Sequence, residues 1–242
     1  MRTLNFAGRN IKELVRDPLS IIFSLALPLF LLFIFKQINI PSPSYALDNF
    51  TPGIIVFSFS FVSMFTAILI AKDRSTSFLT RLAVSPMKPH EYVSGYVLAL
   101  LPPVCVQIVA VLALALILGL KPTWGVLLSL PVALVISLPF IALGILFGSI
   151  TNEKAASGVS SIVVQLVSFT SGMYFDRSLV GDGFAVVCEV LPFESALTLL
   201  KAALNLDLSV IEPRNIIVFC AYTVAFFVLS VVLFNKNMSK GK

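Results

Sequence analysis

Charge is what this sequence has least of. Asp, Glu, Lys and Arg make up 12% of the 242 residues, against about 25% in an ordinary soluble domain. Histidine and tryptophan occur once each, as His90 and Trp124. The three cysteines, Cys105, Cys188 and Cys220, lie far apart with no Cys-x-x-Cys, so the spacing offers neither a zinc site nor a disulfide framework. No phosphate loop G-x-x-x-x-G-K-[ST] is present, so the chain does not hydrolyse ATP alone. G-x-S-x-G and H-E-x-x-H are missing too. His90, near the start of an apolar run, reads as a hydrogen-bonding or topological residue, because a general base needs partners that the sequence does not supply.

What is abundant is apolar surface. Hydrophobic residues reach 58% and the mean hydropathy is +1.00. One soluble core cannot absorb that much apolar surface and keep a wet exterior. The composition excludes a soluble globular enzyme, a disordered chain, a fibrous repeat and a nucleic-acid binder, and leaves an all-α polytopic membrane protein.

A spanning helix needs about 20 residues with few or no charges. Charge-free runs predict spans over 19–36, 51–71, 93–120, 122–150, 155–175 and 215–235. Pro102, Pro103, Pro131 and Pro139 predict kinks or partial breaks in the third and fourth, and Pro28 a kink in the first. With six spans the termini share a side. That side carries twelve cations against five acids, and the other five against seven, so both termini are expected in the cytoplasm. A cleaved signal peptide ending near Ser44-Tyr45-Ala46 fits poorly, because the leading region is long and holds Glu13 and Asp17.

The polar segments carry the remaining information. In 1–17, Leu4, Ala7, Ile11, Leu14 and Val15 recur at helical spacing with Arg2, Arg9, Lys12 and Arg16 elsewhere on the wheel, as in an amphipathic helix lying in the membrane interface. The loop 72–91 holds a short helix capped by Ser75 or Thr76, with Phe78, Leu79, Leu82 and Ala83 as its apolar face and Ser85-Pro86 as its stop. That face suits either a groove on a cytoplasmic partner or the bilayer surface. The charged turn Thr151-Asn152-Glu153-Lys154 is a solvated turn or a second partner contact. The outer stretch 176–214 is too long for a simple connection. Pro192 to Leu204 reads as a helix and, with Phe184 to Leu191 before it, as a re-entrant hairpin.

No ionisable residue lies near the middle of a span, which argues against an ion-coupled carrier and against an intramembrane acid–base enzyme. Gln165 is read as the most polar mid-span side chain, suited to an interhelical hydrogen bond or to a substrate route. Phe23, Phe30, Phe59 and Phe65 could line such a route or simply pack the bundle. Gly144-x-x-x-Gly148 permits close helix packing.

Asp73-Arg74, followed by Ser77-Phe78-Leu79-Thr80-Arg81-Leu82-Ala83-Val84-Ser85-Pro86, resembles the acid–basic, G-T-L-E-R-L-x-x-S-P stretch of ABC-2 type permeases. These are membrane subunits of bacterial ABC exporters of the daunorubicin-resistance kind. The match is carried by Leu79, Arg81, Leu82, Ser85 and Pro86, and departs at Ser77, Phe78 and Thr80, where the family has Gly, Thr and Glu. The order of interfacial helix, six spans, this loop and a long outer segment with Leu191-Pro192-Phe193 extends the resemblance over the whole chain.

The resemblance implies a permease in the bacterial inner membrane that pairs with a second permease chain and with two copies of a separate ABC ATPase. ATP and Mg would be bound by that ATPase and no cofactor by this chain. Residues 73–86, chiefly Asp73, Arg74, Phe78, Leu79, Arg81, Leu82, Ser85 and Pro86, would form the coupling helix. Asn152, Glu153 and Lys154 would make the smaller contact. The cargo would be apolar or amphipathic, such as a drug, lipid or antibiotic peptide. A gradient-driven carrier or channel, and a membrane enzyme acting on lipid headgroups, are the rival classes.

Overall fold

The computed structural model describes residues 2–38, 43–76, 88–174 and 181–239, and the regular structure among them is helical throughout. The helices are α1 (Arg2–Val15), α2 (Pro18–Ile38), α3 (Leu47–Ser75), α4 (Pro89–Ile117), α5 (Trp124–Ile150), α6 (Glu153–Thr170), α7 (Asp182–Val190), α8 (Pro192–Asn205) and α9 (Pro213–Ser239).

Four of these, α3, α4, α5 and α9, are long and apolar enough to cross a membrane, and the pair α7–α8, bent by 71°, makes a fifth if it is taken as one span. Six spans were expected. Among the described residues α2 offers a shorter apolar stretch, Ser24–Ile38. Helix α6 carries Ser157, Ser160, Ser161 and Gln165 as well as Glu153 and Lys154, and falls short on hydropathy. The charge-free run 155–175 begins after Glu153 and Lys154, which α6 includes and which lower its mean hydropathy. Helices α4 and α5 also continue through Pro102-Pro103 and Pro131-Pro139, where kinks or partial breaks were expected, so these prolines break neither helix.

Helix α3 is the centre of the bundle. In its most apolar window 78% of residues are buried, against 11% for α9. It packs most extensively on α5 and α6, while α5 also packs on α8 and α9, and α1 lies on α4. Two glycines set the α3–α5 approach. A Cβ at Gly144 would collide with the Ser63 carbonyl oxygen, and one at Gly148 would lie 2.7 Å from that of Ala67. The sequence motif thus marks a real backbone-to-backbone seam. Buried hydroxyls along α3 turn inward on their own helix: Ser58, Ser60 and Thr66 donate to the carbonyls of Ile55, Phe57 and Val62. Such self-satisfaction lets polar residues sit in apolar packing.

Prolines inside helices free the carbonyl four residues earlier. Here side-chain amides from other helices reach two of them. Gln107 on α4 donates from Nε2 to the carbonyl of Ser24 at 2.8 Å, the group that Pro28 leaves unpaired in α2, and to that of Ser58 at 3.2 Å. Asn205 at the end of α8 points Nδ2 at the Asp48 carbonyl, freed by Pro52, at 3.4 Å. The bundle is closed at the opposite end from α1 by Phe35, Tyr45, Phe50 and Tyr174, with the Tyr45 hydroxyl donating to the Tyr174 carbonyl at 2.9 Å. The Glu189–Arg214 ion pair, 2.8 Å, ties α7 to the start of α9.

Candidate functional site

Helix α3 continues past its apolar part through Lys72-Asp73-Arg74 before it ends at Ser75. Asp73 is only 1% exposed there. A buried carboxylate needs partners that replace its lost hydration. Arg9 on α1 supplies two parallel bonds, Nη1 to Oδ2 at 3.0 Å and Nη2 to Oδ1 at 2.9 Å. The Tyr96 hydroxyl on α4 adds a third, to Oδ2 at 2.7 Å. A planar guanidinium meeting a carboxylate by its fork is both strong and directional. Arg9 also donates to Asn10 Oδ1 at 2.9 Å and pairs with Glu13 at 2.6 Å, and Lys72 stands 3.7 Å from Glu13. Burial works to lower the Arg9 pKa, but the hydrogen bond and charge of Asp73, helped by Glu13, outweigh it and raise the value.

Aromatic packing places these groups. Phe6 meets Tyr92 and Tyr96 edge-on, with ring centroids 5.5 and 5.0 Å apart. Phe234 near the end of α9 packs on the same two tyrosines. Gly95 makes the room: a Cβ there would lie 2.5 Å from Phe6 Cδ1. One buried cluster therefore holds α1, α4 and α9 together directly beneath the Asp73 carboxylate.

Arg74, the next residue, reaches the other way. Its Nη1 donates to the carbonyls of Gly148 at 3.1 Å and Thr151 at 3.0 Å. These belong to the C-terminal end of α5, where carbonyls lack intrahelical partners and a cation is favoured. Asn152 begins α6 immediately afterwards, its Oδ1 accepting from the Ala155 amide at 2.8 Å as an N-cap. The end of α3 is thus tied to α1 and α4 through Asp73, and to the α5–α6 turn through Arg74.

The expected coupling residues divide accordingly. Arg74 is brought beside the turn that holds Asn152, Glu153 and Lys154, all three exposed, while Asp73 is buried against α1 and α4. Phe78, Leu79, Arg81, Leu82, Ser85 and Pro86 lie outside the described residues. Ser75 and Thr76 close α3, their hydroxyls donating to the Lys72 carbonyl at 2.9 and 3.1 Å; the helix they were read to cap lies outside the described residues.

Of the residues read as a substrate route, Phe30 and Gln165 are exposed on the bundle surface and Phe65 is half-buried. Phe59 is fully buried against Phe140, ring centroids 5.8 Å apart, and so faces no surface of the single chain. The side chain of Phe23 lies outside the described residues.

Three contributors were missed. Arg9 and Tyr96 were read as an interfacial cation and as part of an apolar run. The signal was available in Asp73, a lone acid between two cations on the last turn of an apolar helix. Gln107 was passed over for Gln165, although it is the only amide or charge in the run Tyr92 to Leu120. Gln107 makes the interhelical bonds, while Gln165 is exposed.

Comparison with known proteins agrees with this architecture. The chain is similar to the Bacillus subtilis (strain 168) protein named "Putative transport permease YvfS", with 23% identity over 238 residues covering 90% of this chain and 91% of that one. The family model described as ABC-2 type transporter matches residues 3–205, which include the whole Arg9–Asp73–Tyr96 cluster, the α5–α6 turn and the bent pair α7–α8. The chain belongs to the ABC-2 type transporter family, whose members are multi-pass membrane subunits of transporters.

Proposed function

We propose that this chain is the permease subunit of an ATP-driven exporter. It crosses the bacterial inner membrane six times, with both termini in the cytoplasm and α1 in the inner interface. It pairs with a second permease chain and with two copies of an ABC ATPase, which bind the ATP and Mg. Its cargo is apolar or amphipathic.

The observation that carries this reading is the double tether at the end of α3. Residues 77–87 follow Arg74 after only Ser75 and Thr76, so a push or twist on that segment is delivered to α1 and α4 through Asp73 and to α5 and α6 through Arg74. An ATPase gripping the segment would act on four helices together. Only an ATPase dimer that interacts differently with the two access states of the spans can shift their balance. Phe78, Leu79 and Leu82 supply apolar contact to the ATPase, and Arg81 charge-assisted hydrogen bonds. Arg74, engaged within the chain, acts as a strut.

The second chain is supported by α6. Ser157, Ser161 and Gln165 recur at helical spacing on its exposed side, beside Ile162, Leu166 and Phe169. Polar side chains at such depth face protein or a water-filled passage in preference to lipid. Two copies meeting across this stripe would place Gln165 between them, on the cargo route.

The test is Leu79→Asp with Arg81→Glu, assayed for ATPase association and for transport in proteoliposomes. Loss of both supports the reading, whereas survival of both overturns the coupling assignment. Gradient-driven transport by the purified chain without an ATPase would establish the carrier or channel instead.

A further inference from the structure

The outer side of α1 and the end of α3 enclose an open groove of about 840 Å³. Lys12, Arg16 and Lys72 bring three cations to it, besides Arg9 whose charge is met by Asp73, against the carboxylates of Glu13 and Asp17. Gly8 lies in its wall, and a Cβ there would meet nothing within 4 Å, so the groove is open at backbone level. Leu4 forms its other edge. Leu4 and Val15, each 65% exposed, flank the cationic row on the side of α1 turned away from α4.

We propose that this groove is a binding site for the headgroup of an anionic phospholipid, the phosphate held by Lys12, Arg16 and Lys72 and the acyl chains lying along Leu4 and Val15. Three features select this occupant. The excess of cations calls for an anion. The exposed leucine and valine beside those cations need an apolar neighbour, which a lipid supplies on the same molecule as its phosphate. Lys72, half-exposed and 3.7 Å from Glu13, is loosely held and can turn to a phosphate without breaking the Arg9–Asp73 fork. An acidic patch on a protein partner would satisfy the cations but leave Leu4 and Val15 in water. The inference rests on α1 lying in the membrane interface. It does not depend on export or on the ATPase.

The experiment uses the purified full chain. Lipid retention is read by native mass spectrometry after equilibration with phosphatidylcholine containing phosphatidylglycerol, with free glycerol phosphate as competitor. The chain should retain phosphatidylglycerol in preference to phosphatidylcholine and ignore glycerol phosphate. Lys12→Gln with Arg16→Gln should weaken retention roughly thirtyfold, from about tenfold per 1.4 kcal/mol and the loss of two cations near an anionic surface. Gly8→Asp places a carboxylate in the groove without disturbing packing and should weaken it too, at an unchanged thermal midpoint. Retention unaffected by either variant overturns the site. Displacement by glycerol phosphate would reassign it to a soluble phosphate ligand. Equal retention of phosphatidylglycerol and phosphatidylcholine would overturn the headgroup site.

Discussion

Arg9 and Asp73 lie 64 residues apart and meet through two parallel hydrogen bonds that fasten α1 to the end of α3. The carboxylate is nearly inaccessible while the guanidinium is 36% exposed. The two members therefore differ in what their loss does. Arg9→Ala strands a buried charge with only Tyr96 to serve it, at a cost of roughly 3 kcal/mol, reduced somewhat because the lost partner is partly screened. Arg9→Ala with Asp73→Ala removes the stranded charge and should unfold at a higher temperature than Arg9→Ala alone. Thermal midpoints of the single and double variants in one detergent check this; strictly additive losses would refute the pairing.

Tyr96→Phe separates the hydroxyl from the ring. The ring keeps its contacts with Phe6 and Phe234, and the variant loses only the 2.7 Å bond to Asp73. A hydrogen bond to a charged acceptor is worth about 1.5–3 kcal/mol. The expected outcome is a lowered thermal midpoint with unchanged helical circular dichroism, smaller than the loss for Arg9→Ala.

Gly148→Val tests the seam between α3 and α5. Its side chain would be driven into the Ala67 backbone and the Ile70 side chain. Backbone cannot yield as a flexible side chain can, so the helices must separate, at a cost of about 1–3 kcal/mol or more for overpacking. Reduced folded yield and faster tryptic cleavage are expected. Gly158→Val, where a Cβ meets nothing within 4 Å, is the matched control and should fold normally.

Gln107→Leu removes the donor that serves the Ser24 and Ser58 carbonyls. The Ser58 carbonyl also faces the Val62 amide within α3, and Gln107 Oε1 is a buried acceptor without a partner, so the expected loss is that of one hydrogen bond, about 0.5–1.5 kcal/mol. Pro28→Ala restores a backbone amide to the Ser24 carbonyl. Gln107→Leu with Pro28→Ala should therefore recover part of the lost stability. If Pro28→Ala gives no rescue, as judged by thermal midpoint, the amide is not serving that carbonyl.

The helices were largely legible because hydrophobic runs bounded by charge report directly on apolar helices. The bent pair α7–α8 was legible because Pro192 prefers the first turn and Gly181 stands at the N-cap of α7. The Asp73–Arg9–Tyr96 cluster was not legible, because its members come from three helices and no periodicity links residues so far apart. The intrachain bonds of Arg74 were hidden for a related reason. An arginine beside a loop looks the same in sequence whether it faces a partner or caps a neighbouring helix. Gln107 was hidden by its own context: a single amide barely alters the hydropathy of a long apolar run, yet it is the donor that such a run needs where a neighbouring proline has freed a carbonyl.

The two proline-freed carbonyls also bear on how the chain is made. The Ser24 carbonyl waits for a donor 83 residues further on, and the Asp48 carbonyl for one 157 residues further on. During synthesis the Gln107–Ser24 bond can form only once α4 has emerged, and the Asn205–Asp48 bond only once α8 is complete. Each late amide completes an early helix, so the N-terminal half reaches its final packing only after most of the polypeptide has left the ribosome.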